Sequence, residues 1–541
     1  MTSSPHGATL PRNNRSLLAL LFSTLAFRIF CIFWYRTDSD EPQHLHVVWG
    51  WARGLVQYRD VFDNHPPLFH LLSIPLLSLS PESADILIRA RFFILPFALV
   101  TLLLTWLIAR RVFSPVIALA SVMLLGVTPP FLLKTVEFRN DVPWCALLMA
   151  ALFILISGRF TVMRSVTAGL ILGVALAMSL KTAILIIALV LTAITLRSID
   201  RDEQSGTLGT QLLAVAFGGL AFAVAPLLVA LFFGWLGAIN DLAYGAWGFN
   251  SLFRVSNVRR IGGLIALPLL AGALLLSARS RFRRSDTAPD KSTFLALTCV
   301  YYLIALLCLW PIITTRDFLA ILPIVVILFS ARAVTALDKR SFRRAPWLAA
   351  LVLAGMIWTF SYGDLWKRPP DYPQRLIADV LKLTDSADYV MDIKGESVYR
   401  LRPTRYIFEH VGRELVKRGI LPDTVAADIV AKRCCVVVQD QKAFSTKARA
   451  FMNDNYIPAG SVRVCGKTLQ SLDDGQEVEF TIAVPERYAM IARGPVTGVL
   501  DGTSYIGPRL LAPGTHRFVA HSPAKGLSVV WARAVERKMI P

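Results

Sequence analysis

The chain has 541 residues, 55% of them apolar and only 17% charged, whereas ordinary soluble proteins carry about a quarter charged residues. Mean hydropathy is +0.53, the formal charge is +20 and the isoelectric point is near 9.9. The apolar residues come in long blocks and much of the basic excess sits in short loops between them, which argues for a membrane protein and against a nucleic-acid partner.

The first predicted span covers residues 16–35. No small-residue cleavage site follows it, so it reads as a span and not as a cleavable signal. Arg28 lies inside it, about two turns from the outer end. A cation there is expensive and is a functional candidate, the plain alternative being snorkelling to headgroups.

The next stretch opens with Asp38-Ser39-Asp40-Glu41-Pro42. Pro42 suits a first helical turn, and Asp40 or Ser39 suits its cap. Leu45, Val48, Trp49, Ala52 and Leu55 recur at helical spacing, the pattern of a helix lying in the membrane interface. Asp40 and Glu41 at its start can cap the helix, bind a cation or take a proton from a hydroxyl. Further on come Tyr58-Arg59-Asp60 and Asp63-Asn64-His65-Pro66-Pro67. His65 can donate to a phosphate or carry a proton near neutral pH. His44, His46, His65 and His70 share this loop with carboxylates, but their spacing matches no standard metal site. Leu68–Leu79 is apolar yet only a dozen residues long with Pro75 inside, so it reads as an interfacial or re-entrant helix.

Further spans are predicted near 88–109, 115–133, 142–157, 163–180, 182–197, 209–234, 261–278, 293–312, 318–336 and 346–362. With the N-terminus inside and 68–79 not counted as a span, Arg110-Arg111, Arg159, Arg164, Arg197, Arg201, Arg279 through Lys291 and Lys339 through Arg344 all fall on the inner side. That gives about eleven spans and an outward C-terminus. Asp141 then shares the outer side with Asp40, and two such carboxylates can hold a divalent cation or divide base and orienting roles. Helix capping is the simpler role for Asp141. Lys181 follows Gly169 and Gly173, and Arg316-Asp317 occupies a short outer turn before Pro323. Both cations are where a lipid phosphate would be met.

The expected division is a cytoplasmic N-terminus (1–15), a membrane domain (16–363) and an outer soluble domain (364–541). The soluble domain alternates helix and strand patterns to about residue 470, with helices at 375–383 and 407–418 and strands at 389–393 and 434–439. From 471 it reads as β-rich, with turns at Asp473-Asp474-Gly475, Asp501-Gly502 and Pro513-Gly514. Cys465 with Cys434 or Cys435 could form one disulfide in an oxidising compartment, and free buried thiols are the alternative.

Taken in order, these features resemble the C-type glycosyltransferases, in the bacterial branch similar to aminoarabinose transferases and protein O-mannosyltransferases. The resemblance rests on Arg28 before Asp40-Glu41, the run Gly54 through Asp60, Pro66-Pro67-Leu68, Arg91 and Arg110-Arg111 at the two ends of one span, Arg139 with Asp141, Gly169, Gly173 and Lys181, and Arg316 with Pro323. It covers roughly residues 16–340. It implies transfer of a sugar, with inversion, from a polyprenyl phosphate to a lipid, protein or polysaccharide acceptor on the outer face of a cell membrane, the inner one in a Gram-negative cell. Asp40, with Glu41 in support, and Asp141 would be the catalytic carboxylates, and Arg28, His65, Lys181 and Arg316 would hold the donor phosphate. Where relatives carry lysine before the double proline, this chain has His65, whose charge depends on pH. A lipid or glycan flippase is the alternative for the membrane domain. It predicts broken mid-membrane helices and repeated halves, and neither is evident. A soluble domain acting alone, with the membrane part as anchor, fits poorly with so many spans.

Overall fold

A computed structural model describes residues 14–158, 160–199, 208–252, 291–310, 312–339, 344–367 and 371–540, with isolated positions between 261 and 272. The expected span at 261–278 falls largely outside the described residues. The long apolar blocks elsewhere form helices α1 (Asn14–Trp34), α4 (Ile86–Val112), α5 (Pro115–Val127), α7 (Asp141–Ile156), α8 (Val162–Met178), α9 (Thr182–Ile199) and α10 (Leu208–Trp235). Between α1 and α4 lie the shorter α2 (Asp40–Ala52) and α3 (Leu68–Ser78), and α6 (Pro129–Lys134) follows α5. After α10 come α11 (Ile239–Leu242), a π-helical turn (Ala243–Gly248), α12 (Phe249–Leu252), α13 (Lys291–Leu309), α14 (Leu322–Lys339) and α15 (Arg344–Tyr362).

Among the described residues three helices are both long and apolar enough to cross a membrane, Ile86–Val112, Gly209–Trp235 and Lys291–Leu309, and eight more apolar helices are shorter. The block expected as one span at 115–133 is broken at Thr128-Pro129-Pro130, because the paired prolines cannot donate to the preceding turn. A common core joins α4, α7, α8, α9, α13 and α14 around Trp144, Leu148, Leu185, Tyr302 and Ile324. The glycines of α8 have a packing reason. A Cβ on Gly169 would sit 2.1 Å from the Gly218 carbonyl oxygen of α10, and one on Gly173 would sit 2.2 Å from that of Phe222. This small-residue stripe lets the two backbones touch.

The expectation of an interfacial α2 is modified by packing. Its residues Glu41 through Gly50 are all buried, and the stripe Leu45, Val48 and Trp49 meets Phe69 of α3, Ile86, Leu87 and Ala90 of α4, and Ile377, Val398 and Tyr399 of the C-terminal domain. The stripe is covered by protein. Ser39 occupies the cap position without a capping side-chain bond; the Asp40 N–H instead donates to Asp38 Oδ1 at 3.1 Å.

In the C-terminal domain the helix expected at 375–383 spans Tyr372–Leu383, and that at 407–418 spans His410–Lys417. One seven-stranded sheet runs β1 (Val390–Met391), β2 (Val436–Val438), β4 (Val462–Thr468), β11 (Ser528–Trp531), β6 (Glu486–Ile491), β9 (Arg509–Leu511), with β3 (Tyr456–Ala459) also on β4. Strands from both sides of residue 470 therefore share it. The four-stranded sheet is β5 (Glu477–Ile482), β10 (Gly514–Ala520), β7 (Gly498–Leu500), β8 (Thr503–Ser504). Its β7–β8 hairpin turns on Asp501-Gly502, both at positive φ, as that dipeptide predicts. Cys434, Cys435 and Cys465 are free and buried in this domain.

Candidate active site

The site starts where α1 ends. Arg91 of α4 donates to both oxygens of Glu41, Nε at 2.9 Å and Nη2 at 2.7 Å. It also donates to the carbonyls of Ile32, Tyr35 and Arg36 at the end of α1, at 2.8, 2.8 and 3.0 Å. Glu41 further accepts from the N–H groups of Phe138 (3.1 Å) and Asp38 (2.9 Å). Glu41 is thus a fully buried strut that fixes the direction of the first loop, and a bidentate buried pair of this kind tolerates little movement.

The neighbouring Asp40 faces a cavity of about 1330 Å³. Its Oδ2 accepts from Arg139 Nη1 and its Oδ1 from Lys394 Nζ, and Arg316 Nη1 lies 3.8 Å away. Burial works against its charge, but Arg139, Lys394 and Arg316 outweigh burial and hold its carboxyl well below the usual carboxylate range. Asp38 pairs with Arg316 and, at 3.4 Å, with Arg139. Arg139 Nε is also 3.2 Å from Asp141 Oδ2. One guanidinium therefore bridges Asp40 and Asp141. Among the described residues no cluster of three or more His, Cys, Asp or Glu has a metal-binding arrangement.

Lys181 Nζ lies 2.9 Å from Asp141 Oδ1 and 2.7 Å from Asp317 Oδ1. These carboxylates raise its pKa against the opposing effect of burial, so it is a cation at any working pH. Arg316 sits on a 3₁₀ turn, Thr315–Ala320, held by a reciprocal cap between Thr314 and Asp317. The same Asp317 thus fixes Arg316 through the backbone and Lys181 through its side chain. Glu137, beside Lys134 at 2.5 Å and Arg316 at 3.4 Å, is pushed up to about 7 by burial first and Asp38 second.

His65 lines the cavity and its Nδ1 pairs with Asp63 Oδ1 at 3.2 Å. Behind it His44 Nδ1 meets His70 Nε2 at 2.8 Å, and burial holds both of these imidazoles neutral at physiological pH. The loop histidines, whose spacing matches no standard metal site, are thus a bonded His44–His70 pair with the His65 ring 4.7 Å from that of His44, while His46 turns away to the Val398 carbonyl at 2.9 Å.

The structure brings together Asp40, Asp141, His65, Lys181 and Arg316 in the lining of one cavity. It leaves two sequence candidates out of that lining. Glu41 is enclosed behind it. Arg28 turns its Nη1 to Thr135 Oγ1 at 2.7 Å and lies over the Phe131 ring, so it braces α6. Sequence reasoning gave no site role to Asp38, Glu137, Arg139 or Asp317. Of these Arg139 was accessible, as an arginine two residues before Asp141 at an outer helix end. Lys394, Glu396 and Glu409 of the C-terminal domain also line the cavity, and no local signal marks them.

Residues 64–235 match the protein family described as dolichyl-phosphate-mannose-protein mannosyltransferase. The fold is similar to crystal structures of ArnT from Cupriavidus metallidurans, bound to undecaprenyl phosphate (TM-score 0.57, 12% identity) and in the apo state (TM-score 0.56, 13% identity). Each alignment covers 83% of this chain and 97% of the other. No curated protein sequence matches the chain. By the family match and the shared fold, the chain resembles the C-type membrane glycosyltransferases in their aminoarabinose-transferase and protein-mannosyltransferase branch.

Proposed function

We propose that this protein transfers a sugar from a polyprenyl phosphate to a hydroxyl of a lipid, protein or glycan acceptor at the outer face of a cell membrane, the inner one in a Gram-negative cell, with its N-terminus cytoplasmic. The observation that carries the reading is Asp40: a carboxylate held ionised in a large cavity, ringed by the cations a lipid phosphate would need. Lys181, Arg316 and His65 receive the phosphate, putting positive charge where negative charge develops as it leaves. The acceptor oxygen attacks the anomeric carbon from the opposite side, the bond from that carbon to the phosphate oxygen breaks, and the configuration inverts. Asp40 orients the acceptor hydroxyl by accepting its hydrogen bond. The proton passes to Asp40 late, once bond formation has acidified the hydroxyl, so the low proton affinity of Asp40 is no obstacle. Asp141 sets Arg139 and Lys181, while Glu41 and Arg28 hold the frame.

The test is Asp40→Asn in proteoliposomes given the polyprenyl-phosphate sugar fraction as donor and the envelope fraction as acceptor, both extracted from the cells that make the protein. Loss of about 100-fold or more in turnover is expected for a carboxylate in this role. Turnover equal to that of the unaltered protein would remove Asp40 from the mechanism.

A further inference from the structure

One wall of the cavity belongs to the C-terminal domain. A loop leaving β1 carries Lys394 from 354 positions along the chain to Asp40. The loop is tightly built. Asp392 accepts from the N–H groups of Gly395 and Ser397, at 2.8 and 2.9 Å, and from the Ser397 hydroxyl at 2.7 Å. Glu396 accepts from the N–H groups of Ile393 and Lys394, both at 2.9 Å. Gly395 has φ +105, and Val398, a β-branched residue, has φ +60, a conformation that needs strong surroundings to persist. Those surroundings come from the membrane domain. His46 of α2 bonds the Val398 carbonyl, and a Cβ on Gly395 would meet His46 Cβ at 2.7 Å.

Arg139 pairs with one oxygen of Asp40, and Arg316 lies 3.8 Å from that same oxygen. Lys394 takes the other. Each oxygen is therefore held from a different domain, which fixes the plane of the carboxylate and leaves one lone pair on each oxygen for the acceptor. We propose that Lys394 is a positioning residue through which the C-terminal domain aims Asp40 at the acceptor, so that the active site is complete only when the two domains are docked. This inference rests on the reading of Asp40 as the working carboxylate.

Three variants in the full-length chain in proteoliposomes test it, with undecaprenyl phosphate as the binding probe and the extracted donor and acceptor fractions for turnover. Lys394→Met should lower kcat about tenfold or more while the affinity for undecaprenyl phosphate stays within about twofold. Lys394→Arg, which keeps the charge, should restore most of the turnover. Gly395→Ala keeps Lys394 but displaces the loop from His46, and should match the loss in Lys394→Met. Turnover unchanged in Lys394→Met, with Asp40→Asn inactive, overturns the inference and leaves the reading of Asp40 standing. An equal loss of undecaprenyl phosphate binding and turnover also overturns it, since Lys394 would then hold the donor. An active Asp40→Asn would instead remove the reading beneath it.

Discussion

At His65 the charge proposed to meet the donor phosphate depends on one partner. Burial pulls its pKa down, and Asp63 pulls it up further, leaving it above the ordinary histidine value. The sign follows from linkage: the ion pair and the hold on phosphate are fully present below the ordinary histidine pKa and are lost as pH rises through the elevated one. The donor KM should therefore be flat on the acid side and climb through the neutral to alkaline range. His65→Lys should carry the charge past that range and flatten the climb. A donor KM independent of pH in the unaltered protein would count against a phosphate role for His65. The grouping of Asp40, Asp141, Lys181 and Arg316 around one cavity was legible because the predicted topology put them on one side of the membrane domain. The role of Glu41 was legible only as support for its neighbour. Its partner Arg91 lies 50 positions away on another helix, and sequence spacing does not pair such residues.

The helices were readable because burying backbone in lipid demands continuous apolar blocks, and predicted and observed ends agree closely for α4, α7, α8 and α10. The cover over α2 was not readable. An apolar stripe looks the same whether lipid or protein meets it, and the protein that does so comes partly from residues 377–399. The glycines of α8 belong at this scale too. As sequence they formed part of a motif; as structure they set the distance between α8 and α10. Gly169→Ala would place a methyl 2.1 Å from a backbone oxygen that cannot rotate away. The helices must separate, at a cost of about 1–3 kcal/mol. Thermal unfolding in detergent should shift down for Gly169→Ala, and by less for Gly219→Ala, whose added methyl meets nothing within 4 Å. Equal shifts in the two variants would remove the close crossing as the explanation.

For the whole molecule, the cavity exists between two domains that the sequence distinguishes by composition but gives no means of docking. Besides the apolar cover over α2, the contact is made by polar groups far apart in the chain. Glu82, between α3 and α4, accepts from Arg400 Nη1 at 2.8 Å and from Arg53 Nη2 at 2.8 Å. Tyr399 OH donates to the Ser83 carbonyl at 3.2 Å. Arg400 is only 3% exposed, so Glu82→Ala would leave a buried guanidinium with neutral acceptors alone, Thr384 and the Tyr399 carbonyl. The loss should be about 1–3 kcal/mol, concentrated in the docking of the domains because neither core contains Glu82. Protease cleavage between Tyr362 and Tyr372 should accelerate, and turnover should fall with it, because the loop that carries Lys394 begins eight residues before Arg400 and would drift with the domain. A variant that is cut faster yet turns over normally would mean that the membrane domain holds a complete active site by itself. A variant cut at the original rate would mean that Glu82 contributes nothing to docking. If both change together, the soluble domain is a working wall of the cavity.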